Sequence, residues 1–206
     1  WIGTQNNLNY FDRKTETFTR FFKPEAGEPA SSRKYVLDIC ELSPGEIAIL
    51  DSKIAGIFLP ETNAFKAIQA PPEVGSNRCM YKGGDGSVWV GTTKGLFKFD
   101  AGKNKLVPAP IGRNDWDFPV YSIAEDPSGT LWLGSKGGIF HYGARTGSTE
   151  FFPIDTPEKV IVSSIMASRN GLLWCGTSKG LFRLDTTALA ATQFVPFAKT
   201  IPGLSG

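Results

Sequence analysis

Hydrophobic and polar residues alternate along this chain in short runs, and the runs return at a nearly constant interval. The clearest run is an alternating strand pattern centred on a tryptophan, with a glycine before it and Gly-Thr or Gly-Ser after it. Copies stand at residues 86–100, 129–142 and 171–185, and in part at 1–12. A weaker copy at 45–60 has Ala48 where the others have tryptophan. A period of about 42 residues is typical of a repeat architecture.

Four short strand-like segments make up each repeat. In the best-preserved copy these are residues 120–125, 130–134, 138–142 and 149–153. Turn residues rich in Pro, Gly and Asn separate the segments, so the glycines of the motif are expected at turns. Four short antiparallel strands in a repeat of this length predict a blade of a β-propeller.

The fold predicted from this pattern is all-β, a β-propeller of four-stranded antiparallel blades. The predicted blades are 1–32, which is partial, 33–75, 76–117, 118–159 and 160–206. The chain starts inside the motif, so about five repeats are present and we expect an incomplete arc of a larger ring. The recurring tryptophans should pack between blades, because stacking against a neighbour buries a sheet face that would otherwise be exposed.

Composition excludes several classes of function. The 22 Lys and Arg residues against 20 Asp and Glu residues give a net charge of +2, too small to indicate binding to nucleic acid or to an anionic membrane surface. Cys40, Cys79 and Cys175 form no C-x-x-C pair, and His141 is the single histidine. Neither a metal site nor a cofactor is predicted. Catalytic motifs of the common hydrolases and nucleotide-binding enzymes are absent, so the segment is not predicted to be an enzyme.

The repeated phrase G-x-[LV]-W-[VLI]-G-[TS]-x-x-G-[LI] resembles the two-component regulator propeller repeat. It is best preserved from Gly86 to Asp100, Gly129 to Tyr142 and Gly171 to Asp185. The resemblance implies the periplasmic sensor region of a bacterial hybrid two-component histidine kinase, with seven blades in each propeller. It also implies an inner-membrane parent protein that forms a homodimer and responds to oligosaccharides from polysaccharide breakdown. The remaining blades of the same protein would be its first partners.

The segment that interrupts the repeat is the candidate binding site. It comprises Arg113, Asn114, Asp115, Trp116 and Asp117. Trp116 is the one tryptophan outside the repeat position, and it is flanked by charged and amide side chains. An indole face can stack on the C–H groups of a sugar while amides and carboxylates bind its hydroxyls, although Trp116 could instead pack against a neighbouring blade.

Two further sets of residues could take part in recognition. Residues 22–34 form a long polar connection between the first two predicted blades. Lys94, Lys136 and Lys179 occupy equivalent hairpin turns and could attract acidic sugars, or could simply be solvated charges. Two other functions stay open: a scaffold that binds protein without a small ligand, and a propeller lyase or hydrolase.

Overall fold

The computed structural model describes residues 1–5, 7–21, 35–109, 118–186 and 195–196. The described residues form antiparallel β-sheets and one 3-10 helix at Pro72–Val74. They divide into two compact units, the first ending at Val120 and the second beginning at Tyr121. None of their helices is long and apolar enough to cross a membrane.

The first unit contains three sheets. Sheet 1 is formed by β1 (Ile2–Thr4), β2 (Asn7–Asp12) and β3 (Thr17–Arg20). Sheet 2 is formed by β4 (Asp38–Ser43), β5 (Glu46–Leu50), β6 (Ala55–Leu59) and β7 (Ala64–Ala67). Sheet 3 is formed by β8 (Asn77–Lys82), β9 (Val88–Thr92), β10 (Gly95–Asp100) and β11 (Lys105–Pro108). Each strand pairs antiparallel with the next one in the chain.

The second unit contains two sheets of the same design. Sheet 4 is formed by β12 (Ser122–Glu125), β13 (Leu131–Gly134), β14 (Gly138–Gly143) and β15 (Ser148–Pro153). Sheet 5 is formed by β16 (Val162–Ala167), β17 (Leu172–Thr177), β18 (Gly180–Asp185) and β19 (Val195–Pro196). The predicted all-β class and its four-stranded antiparallel blades are confirmed.

Tight hairpins join the tryptophan strand to the strands on either side of it. Gly129 has a φ of 81° in the turn before the strand, and Asn7 has a φ of 80° in a turn after it. Both values lie in the left-handed region, where glycine and asparagine are the least strained residues. The threonine of the motif closes the second hairpin, since Thr92 Oγ1 donates to the Gly95 carbonyl at 3.0 Å. Thr177 makes the same bond to Gly180 at 2.8 Å.

The glycine two residues after each tryptophan is placed within a strand, where the sequence pattern suggested a turn. A methyl group on Gly91 would lie 2.8 Å from the carbonyl oxygen of Val120, and one on Gly134 would lie 2.6 Å from that of Val162. Such distances are too short for carbon against oxygen. These glycines let the chain that enters the next sheet pass directly against the tryptophan strand.

Hydrophobic side chains from consecutive sheets share the core of each unit. In the first unit, Leu8 of sheet 1 packs with Ile47 and Phe58 of sheet 2. Leu50 on the other face of sheet 2 packs with Val90 of sheet 3. In the second unit, Trp132 and Ile139 of sheet 4 pack with residues of sheet 5, including Val162, Leu173 and Cys175. The core is thus a series of layers between neighbouring sheets.

Polar bonds also join sheets 2 and 3. The carboxylate of Asp38 accepts a hydrogen bond from the Met80 backbone N–H at 2.8 Å. The ammonium group of Lys82 donates to the carbonyls of Glu41 and Leu42 at 2.8 and 2.9 Å. These bonds fix the first strands of the two sheets against each other.

Candidate functional site

The segment predicted from the sequence to bind ligand lies outside the described residues. This applies to Arg113, Asn114, Asp115, Trp116 and Asp117, and also to residues 22–34. The last strand of sheet 3 ends at Pro108. Just before sheet 4, the backbone N–H of Val120 donates a hydrogen bond to the Thr92 carbonyl at 2.8 Å. The predicted segment therefore connects a fourth strand to the next first strand.

The hairpin lysines are held by local bonds. The backbone N–H groups of Lys94 and Lys179 each donate to the threonine hydroxyl of their own hairpin at 3.0 Å. The ammonium group of Lys179 lies 2.7 Å from Glu158 Oε2, and both side chains are largely exposed. An exposed pair of this kind contributes little stability, so a charged ligand could displace Glu158 at low cost.

The recurring tryptophans belong to the scaffold in the described units. Trp132 is completely buried, and Trp89 is 4% exposed with Lys98 Nζ 5.2 Å from its ring centre. Trp1 packs against Phe21 at 5.2 Å and against Phe58 of sheet 2 at 5.9 Å between ring centres. The indole of sheet 1 therefore packs against the following sheet, as Trp132 does in the second unit.

Asp126 holds the indole of sheet 4 in place. Its Oδ2 accepts a hydrogen bond from Trp132 Nε1 at 3.0 Å, and its Oδ1 accepts from the backbone N–H groups of Ser128 and Thr130 at 2.9 and 3.1 Å. Burial opposes ionisation, but the bonds from Ser128, Trp132 and Thr130 outweigh it and lower the pKa of Asp126. This carboxylate is a turn residue and not a catalytic acid, which would need a raised pKa.

His141 lies beside the same tryptophan. Its ring centre is 4.6 Å from that of Trp132, and it pairs with Trp132 across β13 and β14. Burial lowers the pKa of His141 below its ordinary 6.5, against the opposing effects of Asp126 and Glu150. The imidazole is therefore neutral at pH 7 and packed into the sheet.

Thiol chemistry and metal binding find little support in the described part of the chain. Burial raises the pKa of Cys79 and of Cys175 to about 12, so neither forms a thiolate at neutral pH. Within the described ranges, no three His, Cys, Asp or Glu side chains are grouped as metal ligands would be.

A cleft between sheets 2 and 3 was not predicted. Its volume is about 540 Å³, within the roughly 300–1,000 Å³ typical of small-molecule sites. Leu42, Ile57, Val88 and Phe99 form its apolar lining. Its charged lining residues, called the rim below, are Glu46, Lys66, Asp85 and Lys98. The signal that could have located it is Ala48, the one alanine at a tryptophan position.

The cleft carries two carboxylates and the ammonium group of Lys66, because Lys98 Nζ lies over the Trp89 ring on the other face of sheet 3. Two hydrogen bonds from Ser87 and the nearby Lys98 lower the pKa of Asp85, so this carboxylate stays ionised. Glu46 Oε2 accepts a hydrogen bond from Ser43 Oγ at 2.7 Å, which fixes the carboxylate at the turn between β4 and β5. The described cleft thus combines apolar side chains with charges of both signs in its lining.

Comparison with known proteins extends these observations. Residues 119–137 match the family model described as two component regulator propeller. No curated protein matches the chain. The extracellular domain of a hybrid two component system from B. thetaiotaomicron superposes with a TM-score of 0.70 at 22% identity. The match covers 88% of this chain and 24% of that domain.

Two other solved structures share the fold. Virginiamycin B lyase from Staphylococcus aureus gives a TM-score of 0.68 at 16% identity, over 95% of this chain and 64% of the lyase. The WD40 beta propeller domain of Doa1 gives 0.57 at 18% identity, over 72% of this chain and 50% of that domain. At these identities the likeness establishes architecture and leaves chemistry to be argued from the residues. Residues 119–137 therefore form a two-component regulator propeller repeat, in a chain with the β-propeller blade fold found in the extracellular domains of hybrid two-component systems.

Proposed function

We propose that this chain is a ligand-sensing propeller segment of the extracytoplasmic region of a hybrid two-component signalling protein. The observation that carries the proposal is the regulator propeller repeat at residues 119–137, in a chain that superposes over 88% of its length on the extracellular domain of such a system. In this proposal the parent protein is an inner-membrane protein, and this segment lies in the periplasm. It acts as a homodimer, and the remaining blades of the protein complete the propeller.

The ligand is proposed to be an oligosaccharide from polysaccharide breakdown. Arg113, Asn114, Asp115, Trp116 and Asp117 supply a sugar-binding composition at a connection between blades. The Trp116 ring would stack on the apolar face of a pyranose, and the neighbouring side chains would bind its hydroxyl groups. Burial of an aromatic anchor at the centre of a contact accounts for much of the affinity in such sites.

The segment is proposed to sense and not to catalyse. Lyases occur on this fold, since virginiamycin B lyase superposes on the chain. A histidine working as a general base must reach a substrate, whereas His141 packs beside Trp132 with its pKa lowered by burial. Ligand binding would be transmitted through the packing between sheets, because closely packed layers move as units.

Calorimetric titration of the purified protein with a panel of oligosaccharides tests this proposal. We expect saturable binding of one class of oligosaccharide without turnover of the sugar. If no sugar binds while a protein partner does, the chain is an interaction scaffold and the proposed ligand class is wrong. Release of a new reducing end or an unsaturated product would make it an enzyme.

Replacement of Trp116 by alanine tests the proposed stacking residue. Trp116→Ala should weaken oligosaccharide binding by at least about 1 kcal/mol, since truncation of an aromatic anchor typically costs this much or more. Tyr35→Ala is the control, because Tyr35 is an aromatic residue that is 45% exposed and also precedes a first strand. Unchanged affinity in Trp116→Ala, with the sugar still binding, would assign Trp116 to the scaffold.

A further inference from the structure

Sheet 2 has lost the indole that the other four sheets carry. Ala48 stands opposite Cys40 and Ile57 in the strand register. Trp132 stands in the same register position, opposite Ala124 and His141, and Trp89 stands opposite Tyr81 and Lys98. Ala48 is thus the structural counterpart of the tryptophans, and replacing tryptophan by alanine removes a large aromatic volume from a layer between sheets.

In sheets 1 and 4 this position faces the sheet that follows in the chain. Trp1 of sheet 1 packs against Phe58 of sheet 2, and Trp132 of sheet 4 packs in one cluster with Val162 and Leu173 of sheet 5. By the same register, Ala48 faces sheet 3. Leu50, two residues further along the strand and on the same face, packs with Val88 and Val90 of sheet 3.

A cleft lies beside the position of the missing indole. Ala48 itself is 1% exposed, but its cross-strand partner Ile57 lines the cleft of about 540 Å³ between sheets 2 and 3. Leu42 lines the same wall, at the bulge just before the turn into β5, and Ser43 holds the paired position that Asp126, the acceptor for the indole N–H, holds in sheet 4. Sheet 2 therefore lacks the ring and has no carboxylate at its acceptor position, and Leu42 and Ile57 make this wall of the cleft apolar.

The charged residues of the rim give a second, independent indication of the chemistry of the ligand. Glu46 and Lys66 stand on sheet 2, and Asp85 and Lys98 stand on sheet 3. Lys98 Nζ lies over the Trp89 ring, on the face of sheet 3 opposite the one that packs with sheet 2, so two carboxylates and the ammonium group of Lys66 remain. These charges disfavour a polyanion, such as an acidic sugar, and match a ligand that carries both an ammonium group and a carboxylate. Ile57, Val88 and Phe99 provide an apolar surface suited to an aromatic ring.

We propose that the cleft between sheets 2 and 3 binds a small zwitterionic aromatic compound of the size of an aromatic amino acid. Its ring enters the space that an indole fills in the other sheets. Its ammonium group faces Asp85 and Glu46, and its carboxylate faces Lys66. This site is separate from the proposed oligosaccharide segment at residues 113–117, and it stands whether or not that segment binds sugar.

Ligand-observed NMR and calorimetry with the purified protein test the site. The probes are L-tryptophan, indole and cellobiose. We expect L-tryptophan to bind at a single site and indole to bind at least about tenfold more weakly, because indole lacks both charged groups. Cellobiose should not compete with L-tryptophan. Absence of L-tryptophan binding would overturn the proposal, and so would competition by cellobiose.

Two variants that introduce the missing side chains test whether the ligand binds in this cleft. Ala48→Trp should abolish L-tryptophan binding, because the added indole occupies the ligand's position. The double variant Ser43→Asp with Ala48→Trp also supplies the acceptor seen at Asp126, and it provides a folded form if the single variant is unstable. Binding that persists in the double variant would place the ligand elsewhere and refute the assignment.

A rim variant checks the charge contribution without filling the cleft. Lys66→Ala should weaken L-tryptophan binding several-fold and leave indole binding unchanged, because indole has no carboxylate. Lys103→Ala is the matched control, since Lys103 pairs with Asp100 outside the cleft lining. Equal losses for the two ligands would show that Lys66 does not contact a carboxylate. Oligosaccharide binding is measured in parallel, so failure at one site is distinguished from failure at the other.

Discussion

At the residue scale, one carboxylate organises the turn that precedes the best-preserved tryptophan strand. Asp126 accepts bonds from two backbone N–H groups and from the Ser128 hydroxyl, and it also accepts the indole N–H of Trp132. The indole is completely buried, so its N–H would otherwise lack a partner away from water. Asp126 therefore stabilises the turn and the buried ring together.

Replacement of Asp126 by alanine should lower the free energy of unfolding by about 2–3 kcal/mol, because it removes charge-assisted bonds and leaves the indole N–H unsatisfied. Urea denaturation followed by circular dichroism measures the change. Asp155→Ala is the control, since Asp155 is exposed between sheets 4 and 5. A loss no larger than in the control would mean that water replaces the carboxylate without cost.

At the scale of the elements, the distance between neighbouring sheets depends on the glycine that follows each tryptophan. A methyl group at Gly134 would meet both the hydroxyl of Ser122 and the carbonyl of Val162. At Gly176 the near neighbour is the Ser164 hydroxyl, and the Ser164 carbonyl is 4.0 Å away. A hydroxyl can rotate away from a methyl group, whereas a carbonyl fixed in the entry to the next sheet cannot.

Alanine at these glycines should therefore have unequal effects. Gly134→Ala should destabilise the protein by about 1–3 kcal/mol or more, as overpacking of a close contact does. Gly176→Ala should cost less, and Gly102→Ala, in an open turn with its nearest contact at 3.5 Å, should be close to neutral. Thermal melts of the three variants give the ranking. Equal melting temperatures for Gly134→Ala and Gly176→Ala would contradict the proposed role of the carbonyl.

At the scale of the whole molecule, the free energy of unfolding depends on pH wherever the folded and unfolded chains bind different numbers of protons. Burial lowers the pKa of His141 below 6.5, so below that pH the unfolded chain takes up a proton more readily than the folded one. The contribution of neutral His141 is fully present above pH 6.5. It is lost progressively as the pH falls from 6.5 to the lower pKa of the folded state.

The midpoint of thermal unfolding should accordingly fall as the pH is lowered through 6.5. His141 is the single histidine of the chain, so the variant His141→Gln should remove this step and leave the acid transition of the carboxylates in place. Scanning calorimetry of both proteins from pH 8 to pH 5 makes the comparison. The same slope in both proteins across this range would assign the effect to other groups.

The amino-acid pattern alone determined the architecture of the repeat. Strand alternation, the turn glycines and the spacing of the tryptophans are local properties, because each is set by backbone conformation and by which face of a strand is buried. They predicted four-stranded antiparallel sheets and tryptophans packed against the next sheet. The same pattern identified Ala48 as an alanine at a tryptophan position, but it could not show that a cleft lies beside it.

The contacts between neighbouring sheets follow from the tertiary packing and cannot be read from the repeat pattern. The contact of Gly134 with the Val162 carbonyl joins residues far apart in the chain, and so does the cleft that Ile57 and Phe99 line together. Such contacts depend on how closely two sheets approach, which follows from the combined volume of all the side chains in the layer. A repeat pattern records each strand by itself, so it predicts the sheets, whereas the space that remains between two sheets is fixed only when they pack.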